Sequence, residues 1–296
     1  MADVLMGAWF VSASPQAIAL PPLRLEVLLL LMASSICLYL AGMVLNDVCD
    51  REQDARERPE RPIPSGRVPL KAAVALGFEL LFFGVVFGWL ASFVSGSWHA
   101  GLVATALAGL IVAYDAALKR TWFGAIGMGG CRMLNVLLGM SVAGAAFQWQ
   151  SVNYYVAGAM GAYVAGVTWF ARTEAKAESS RGQLAFGTFV MTAALFALAI
   201  FPRFVKLPLA TRLPPSDLMV WYVSWGALAA MVVSFGVITC LHPKPTKVQA
   251  AVRIFLLSLI PMNAAICLLM QGRAPALGIM ILLLPAMYLG RWLYST

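Results

Sequence analysis

The sequence predicts an all-α polytopic membrane protein, a bundle of about nine transmembrane helices around a central cavity. Three observations carry this. Hydrophobic residues make up 61% of the chain and charged residues only 11%, far from the roughly one-quarter charge of soluble domains. Apolar runs of about twenty residues recur from end to end, the length a helix needs to cross a ~30 Å hydrocarbon core. Basic residues sort to one side when the runs are threaded alternately. The short alternating segments of an outer-membrane β-barrel are absent.

Taken in order, the first apolar run, 4–13, is too short to span, so residues 1–21 read as a partial or truncated first helix. Full-length runs follow at 22–45, 70–94, 98–117, 123–146, 153–173, 184–201, 218–240, 249–270 and 275–294. One connection is dense in charge, Asp47 to Leu70, and its prolines at 59, 62 and 64 forbid a continuing helix. With that connection inside, fifteen of the 21 Lys and Arg residues fall on the inner side, five on the outer side, and Arg132 stays within a span. This fits the positive-inside rule and places the acidic motifs on the cytoplasmic side. The net charge of +8 is accounted for in this way and calls for no nucleic acid. The five cysteines lie in or beside apolar runs without metal-ligand spacing, which argues against a disulfide framework.

Three constellations carry chemistry, all at inner ends of spans. In the first, Asp47, Asp50 and Asp54 stand at i, i+3 and i+7, one stripe of a continuing helix. Three carboxylates on a stripe repel unless cations join them, and Mg²⁺ commonly bridges carboxylates to substrate phosphates. The competing reading is a solvated acidic helix end balanced by Arg51, Arg56 and Arg58. The second holds Glu174 and Glu178 at i, i+4, either a further metal-ligand pair or an ordinary charged helix end. The third is Tyr114 with Lys119 and Arg120, suited to clamping phosphate oxygens or simply to anchoring a helix at the interface. Within the spans, Glu79, Arg132, Asn135, Asn153 and Asn263 are costly in lipid. Arg132 and Asn135 share a helix face and point either into a substrate cavity or to a structural pair, with Glu79 a candidate partner for Arg132. Glycines such as Gly127, Gly129, Gly130 and Gly139 suit close helix packing.

The run Asn46-Asp47-x-x-Asp50-x-x-x-Asp54, followed by Arg58-Pro59-x-Arg61-Pro62-Ile63-Pro64-Ser65-Gly66, closely resembles the first signature of the UbiA superfamily of intramembrane prenyltransferases. The text Gly130-Cys131-Arg132-x-x-Asn135-x-x-x-Gly139 and Thr168-Trp169-Phe170-Ala171-Arg172-Thr173-Glu174 looks most like the EboC-like subgroup. The resemblance implies Mg²⁺-dependent transfer of an isoprenoid group from a prenyl diphosphate to a small aromatic or polyol acceptor, within a bacterial inner membrane. It implies a metal set of Asp47, Asp50, Asp54, Glu174 and Glu178, with Lys119 catalytic beside the three aspartates. Asn46, Arg61, Arg67, Tyr114, Arg120, Arg132 and Asn135 would then contact the bound substrate. The second motif carries Glu where the family usually has Asp, and the family's usual full first helix with an Arg-Pro and Asn signature is not matched. A transporter, or a non-catalytic relative that binds prenyl diphosphate, is the alternative reading.

Overall fold

The computed structural model describes residues 1–13, 24–144, 148–172, 181–204 and 215–293. All regular structure among them is helical: α1 (Ala2–Ser12), α2 (Leu25–Glu57), α3 (Leu70–Ser95), α4 (His99–Ala116), α5 (Gly124–Met140), α6 (Ser151–Ala171), α7 (Arg181–Phe204), α8 (Pro215–Leu241), α9 (Pro245–Leu257), α10 (Leu259–Gln271), α11 (Arg273–Ile281) and α12 (Leu283–Leu293). Single turns of 3₁₀ helix at Leu118–Arg120 and Ser141–Ala143 follow α4 and α5.

Seven of the nine expected spans appear among the described residues as helices long and apolar enough to cross a membrane. The two that differ do so for identifiable reasons. Helix α6 has 21 residues, but its polar and small side chains leave it less apolar than the seven. The run 275–294 breaks between α11 and α12 at Leu282. Pro285 has no N–H to give the carbonyl of Ile281, and its ring crowds that carbonyl. Pro261 acts in the same way on Leu257, where α9 gives way to α10 at Ser258.

Successive helices α2 to α8 pack side by side, and α9 and α10 return against α6 and α8. The short helix α1 is enclosed by α5 and α10, with further contacts to α2 and α11. Its Val4, Met6 and Val11 have no exposed surface. Close approach is bought by glycine: a Cβ on Gly129 would lie 2.5 Å from the carbonyl oxygen of Gly161, and one on Gly161 2.6 Å from that of Gly129. Helices α5 and α6 therefore meet backbone to backbone, as packing in lipid favours. Outward faces carry Phe78, Phe82, Phe93, Phe189 and Phe196, all exposed, as a lipid-facing surface requires. All five cysteines are free.

Arg132 finds its partner in α1 and not in Glu79. Its Nη2 lies 2.8 Å from Asp3 Oδ1. Asn263 Nδ2 donates to the same oxygen at 2.9 Å, and Asn135 Nδ2 donates to Asp3 Oδ2 at 3.0 Å. Ser35 Oγ donates to Asn135 Oδ1 at 2.7 Å. One buried carboxylate thus ties α1, α2, α5 and α10 together. Glu79 sits exposed on α3.

Candidate active site

Helix α2 has 33 residues, about 50 Å at 1.5 Å per residue, so its last turns run past a ~30 Å hydrocarbon core. The apolar stretch ends near Leu45, and the acidic stripe occupies the projecting end. The helix stops at Glu57 because Arg58 precedes Pro59, which drives Arg58 out of the α region to φ −146°, ψ 64°. The chain then doubles back. Ser65 N–H donates to Arg61 C=O at 3.0 Å and Val68 N–H to Pro62 C=O at 2.9 Å, with Gly66 supplying a φ of +75°.

That fold-back brings Arg61 onto the stripe. Its Nη1 lies 2.9 Å from Asp54 Oδ2 and 3.3 Å from Asp47 Oδ1. Asp54 is buried beneath it, while Asp47 is partly exposed. Partial burial raises the Asp47 carboxyl above the usual carboxylate range; Arg61 opposes this, and Asp54 and Asp50 reinforce it.

The second cation comes from the turn after α4. Lys119 Nζ lies 2.6 Å from Asp50 Oδ1 and 3.1 Å from Asn46 Oδ1. Arg120 Nη2 donates to the Cys49 carbonyl at 3.4 Å. Thr121 Oγ1 caps the turn by donating to Leu118 C=O at 2.8 Å. Arg172, at the end of α6, donates through Nη2 to the carbonyls of Lys119 and Thr121. It pins the lysine-bearing turn to the end of α6, where the second acidic motif begins.

Most of the expected residues therefore meet at one end of the bundle: Asn46, Asp47, Asp50, Asp54, Arg61, Lys119 and Arg120. Tyr114 joins them half-buried on α4, with Asp50, Asp115 and Arg172 among its electrostatic neighbours. Glu174 and Glu178 lie outside the described residues. Arg67 does not reach the stripe: its guanidinium bonds Ser65 Oγ at 3.1 Å and the Glu60 carbonyl, within its own turn. Arg132 and Asn135 belong to the Asp3 network instead. Tyr163 and Phe170 on α6 have no exposed surface and are locked in packing.

Sequence reasoning missed three residues. Asp3 is an ionisable group in an apolar run, a signal in itself, but it falls just ahead of the run 4–13. Arg172 opens the second acidic stretch, and only the structure shows its carbonyl partners at Lys119 and Thr121. Asp115 is in the Tyr114–Lys119 stretch, yet only packing shows it buried at 4% exposure.

Among the described residues no three His, Cys, Asp or Glu side chains converge as a ready metal cage. Hard oxygen donors still suit Mg²⁺, which keeps several waters and is usually held by one or two carboxylates together with substrate phosphates. The donor set at Asp47, Asp50 and Asp54 fits that mode of binding.

Fold and site together define a helical membrane protein that gathers carboxylates and fixed cations at one end of an apolar bundle. Residues 4–260 match the UbiA prenyltransferase family, and the chain belongs to it. Digeranylgeranylglyceryl phosphate synthase of Methanoregula boonei is 40% identical over 95 residues, 32% of each chain. The enzyme of the same name from Methanococcoides burtonii is 34% identical over 107 residues, 36% of each chain. The bacteriochlorophyll synthase 33 kDa chain of Rhodobacter capsulatus is 44% identical over 62 residues, 21% of this chain and 18% of that one. The matched stretches span about a third or less of these curated relatives. A solved structure concerned with digeranylgeranylglyceryl phosphate synthase in membranes aligns at a TM-score of 0.60, covering 90% of this chain and 92% of that one at 16% identity. At that identity the likeness shows the fold.

Proposed function

We propose that this protein transfers an isoprenoid group from a prenyl diphosphate to a small acceptor held within the membrane, with Mg²⁺ as cofactor. One observation carries the reading. A stripe of carboxylates on α2 is met by Lys119 and Arg61 from two other segments, at one end of a largely apolar bundle. Such an end suits a charged diphosphate, and the apolar walls suit its tail.

Asp47, Asp50 and Asp54, with Glu174 and Glu178 from the second motif, would hold the metal. Bound there, it supplies positive charge to the diphosphate. Lys119 and Arg120 add their own charge to the phosphate oxygens, Lys119 as a point charge and Arg120 through its planar fork. The charge that develops as the allylic C–O bond breaks is stabilised by these fixed groups. The bonding pair leaves with the diphosphate. A nucleophilic atom of the acceptor forms the new bond to the allylic carbon and gives up its proton. Apolar helix faces exclude the water that would compete for that carbon.

The transporter alternative loses its main support. Arg132 and Asn263 are tied to Asp3 in a buried lock across four helices, not arrayed along a path. The basic-residue count supports placing the acidic end in the cytoplasm, and the EboC-like motif text supports that subgroup. Acceptor chemistry within the lipid-type or small aromatic range stays with the proposal.

The test is Mg²⁺-dependent diphosphate release from geranyl, farnesyl and geranylgeranyl diphosphates with a panel of acceptors. Release is expected to require both Mg²⁺ and Asp50, and Asp50→Ala should lower it at least a hundredfold, about 2.7 kcal/mol of transition-state stabilisation. Full activity of the folded variant would sink the assignment.

A further inference from the structure

Asp115 lies on α4, four residues before Lys119. It is 4% exposed, and its Oδ2 has no hydrogen-bond partner. A buried carboxylate oxygen left without a donor is costly, so packing alone gives no reason to keep it. The mechanism above does not use it.

The charges that act on Asp115 come from the site itself: Lys119 on the following turn, and Asp50 and Asp47 on α2. Asp47 and Asp54 have Arg61 against them, and Asp50 has Lys119. Among the described residues Asp115 is the one of these four carboxylates with no cation in contact. The lysine that would serve it is spent on Asp50 and Asn46.

The α2 stripe alone is a poor cage. Arg61 Nη1 already holds Asp54 Oδ2 and Asp47 Oδ1, and Lys119 holds Asp50 Oδ1, so few oxygens of the stripe are free for an ion. A divalent ion near Asp47 and Asp50 needs oxygen acceptors from another direction for its waters. Helix α4 packs against α2 and carries Asp115 within electrostatic range of Lys119, Asp50 and Asp47.

We propose that Asp115 is a further acidic residue of the cation site, accepting hydrogen bonds from the water shell of a divalent ion held at Asp47 and Asp50. This rests on the cation reading given above. It assigns to α4 a role in metal binding besides delivering Lys119. Carboxylates that orient bound water tune affinity nearly as strongly as direct ligands, by about 10–100-fold.

The test uses the full chain in lipid nanodiscs with Mn²⁺ alone as the probe, free Mn²⁺ being read by its electron paramagnetic resonance signal. Asp115→Asn and Asp115→Ser are compared with Asp50→Asn and the unsubstituted protein, all checked as folded and monodisperse. Both Asp115 variants should bind Mn²⁺ about tenfold or more weakly, with thermal stability unchanged or raised, since the uncompensated buried charge is gone. Mn²⁺ affinity unchanged in Asp115→Asn, while Asp50→Asn is impaired, overturns the proposal and spares the cation reading. No Mn²⁺ uptake by the unsubstituted protein, or equal uptake by Asp50→Asn, overturns both. A second measurement needs no variant. Mg²⁺ should slow carbodiimide coupling at Asp115 several-fold in the unsubstituted protein, read by peptide mass spectrometry. Equal coupling with and without Mg²⁺, alongside protection of Asp50, again overturns the proposal.

Discussion

The carboxylate of Asp3 shows how much one residue holds in this bundle. It is 1% exposed and takes contacts from Arg132, Asn135 and Asn263. Removing one partner of a buried ion pair costs more than the pair is worth, because the other charge stays behind uncompensated. Asp3→Ala should therefore lower stability by about 3–5 kcal/mol. Adding Arg132→Leu should recover part of that loss, since no bare guanidinium then remains. Thermal unfolding of both variants in detergent is the check, and a loss under about 1 kcal/mol in Asp3→Ala would show the pair to be incidental. The residue scale is also where the sequence was read least completely. The stripe Asp47, Asp50 and Asp54 was legible because helical spacing alone fixes which side chains share a face. The pairing of Lys119 with Asp50, and of Arg132 with Asp3, joins residues far apart in the chain, which no local period encodes. The position of Arg67 is likewise not set by a local period: the Pro/Gly turn that carries it folds the side chain onto Ser65 and the Glu60 carbonyl.

Helices here end and bend where proline dictates. Pro59 stops α2 just past the acidic stripe, and Pro261 and Pro285 each break a helix four residues upstream. The spans 249–270 and 275–294 were expected unbroken from their apolar content, although both prolines stand in plain sequence. Hydropathy counts side chains and is blind to a missing N–H. Beside the α9–α10 break, α6 reaches the carbonyl of Phe255. Tyr163 Oη donates to the Phe255 carbonyl at 3.2 Å and lies 2.7 Å from Ser258 Oγ, which itself donates to the same carbonyl at 2.7 Å. Tyr163→Phe should cost about 1 kcal/mol, a typical net value for one hydrogen bond, because Ser258 keeps the carbonyl partly served. A fall in melting temperature of a few degrees with unchanged diphosphate release is the expected result. A loss of activity at equal stability would give the tyrosine a part in the chemistry.

At the scale of the molecule, charge sorting and apolar run length together made the bundle legible, while the placement of α1 inside it was not. A short apolar run gives no hint that α5 and α10 will enclose it; that follows from small residues on both sides, Gly7 against α5 and Gly139 against α1, where a Cβ would meet backbone at 2.6 and 2.5 Å. The same sorting yields a directional claim. Helix α3 has 26 residues, about 39 Å at 1.5 Å per residue, enough to carry the chain from one surface to the other. The turn holding Glu60 and the turn holding Trp98 must then face opposite sides, and the orientation proposed above puts Glu60 on the cytoplasmic one. In a cysteine-free background, Glu60→Cys should react with a membrane-impermeant maleimide only in inside-out vesicles. Trp98→Cys, at a position 73% exposed, should react only in right-side-out vesicles. Reversed labelling would put the acidic end outside and remove the cytoplasmic placement while sparing the fold. Labelling of both from the same side would mean that α3 does not cross, and the seven-span plan of the described helices would fail with it.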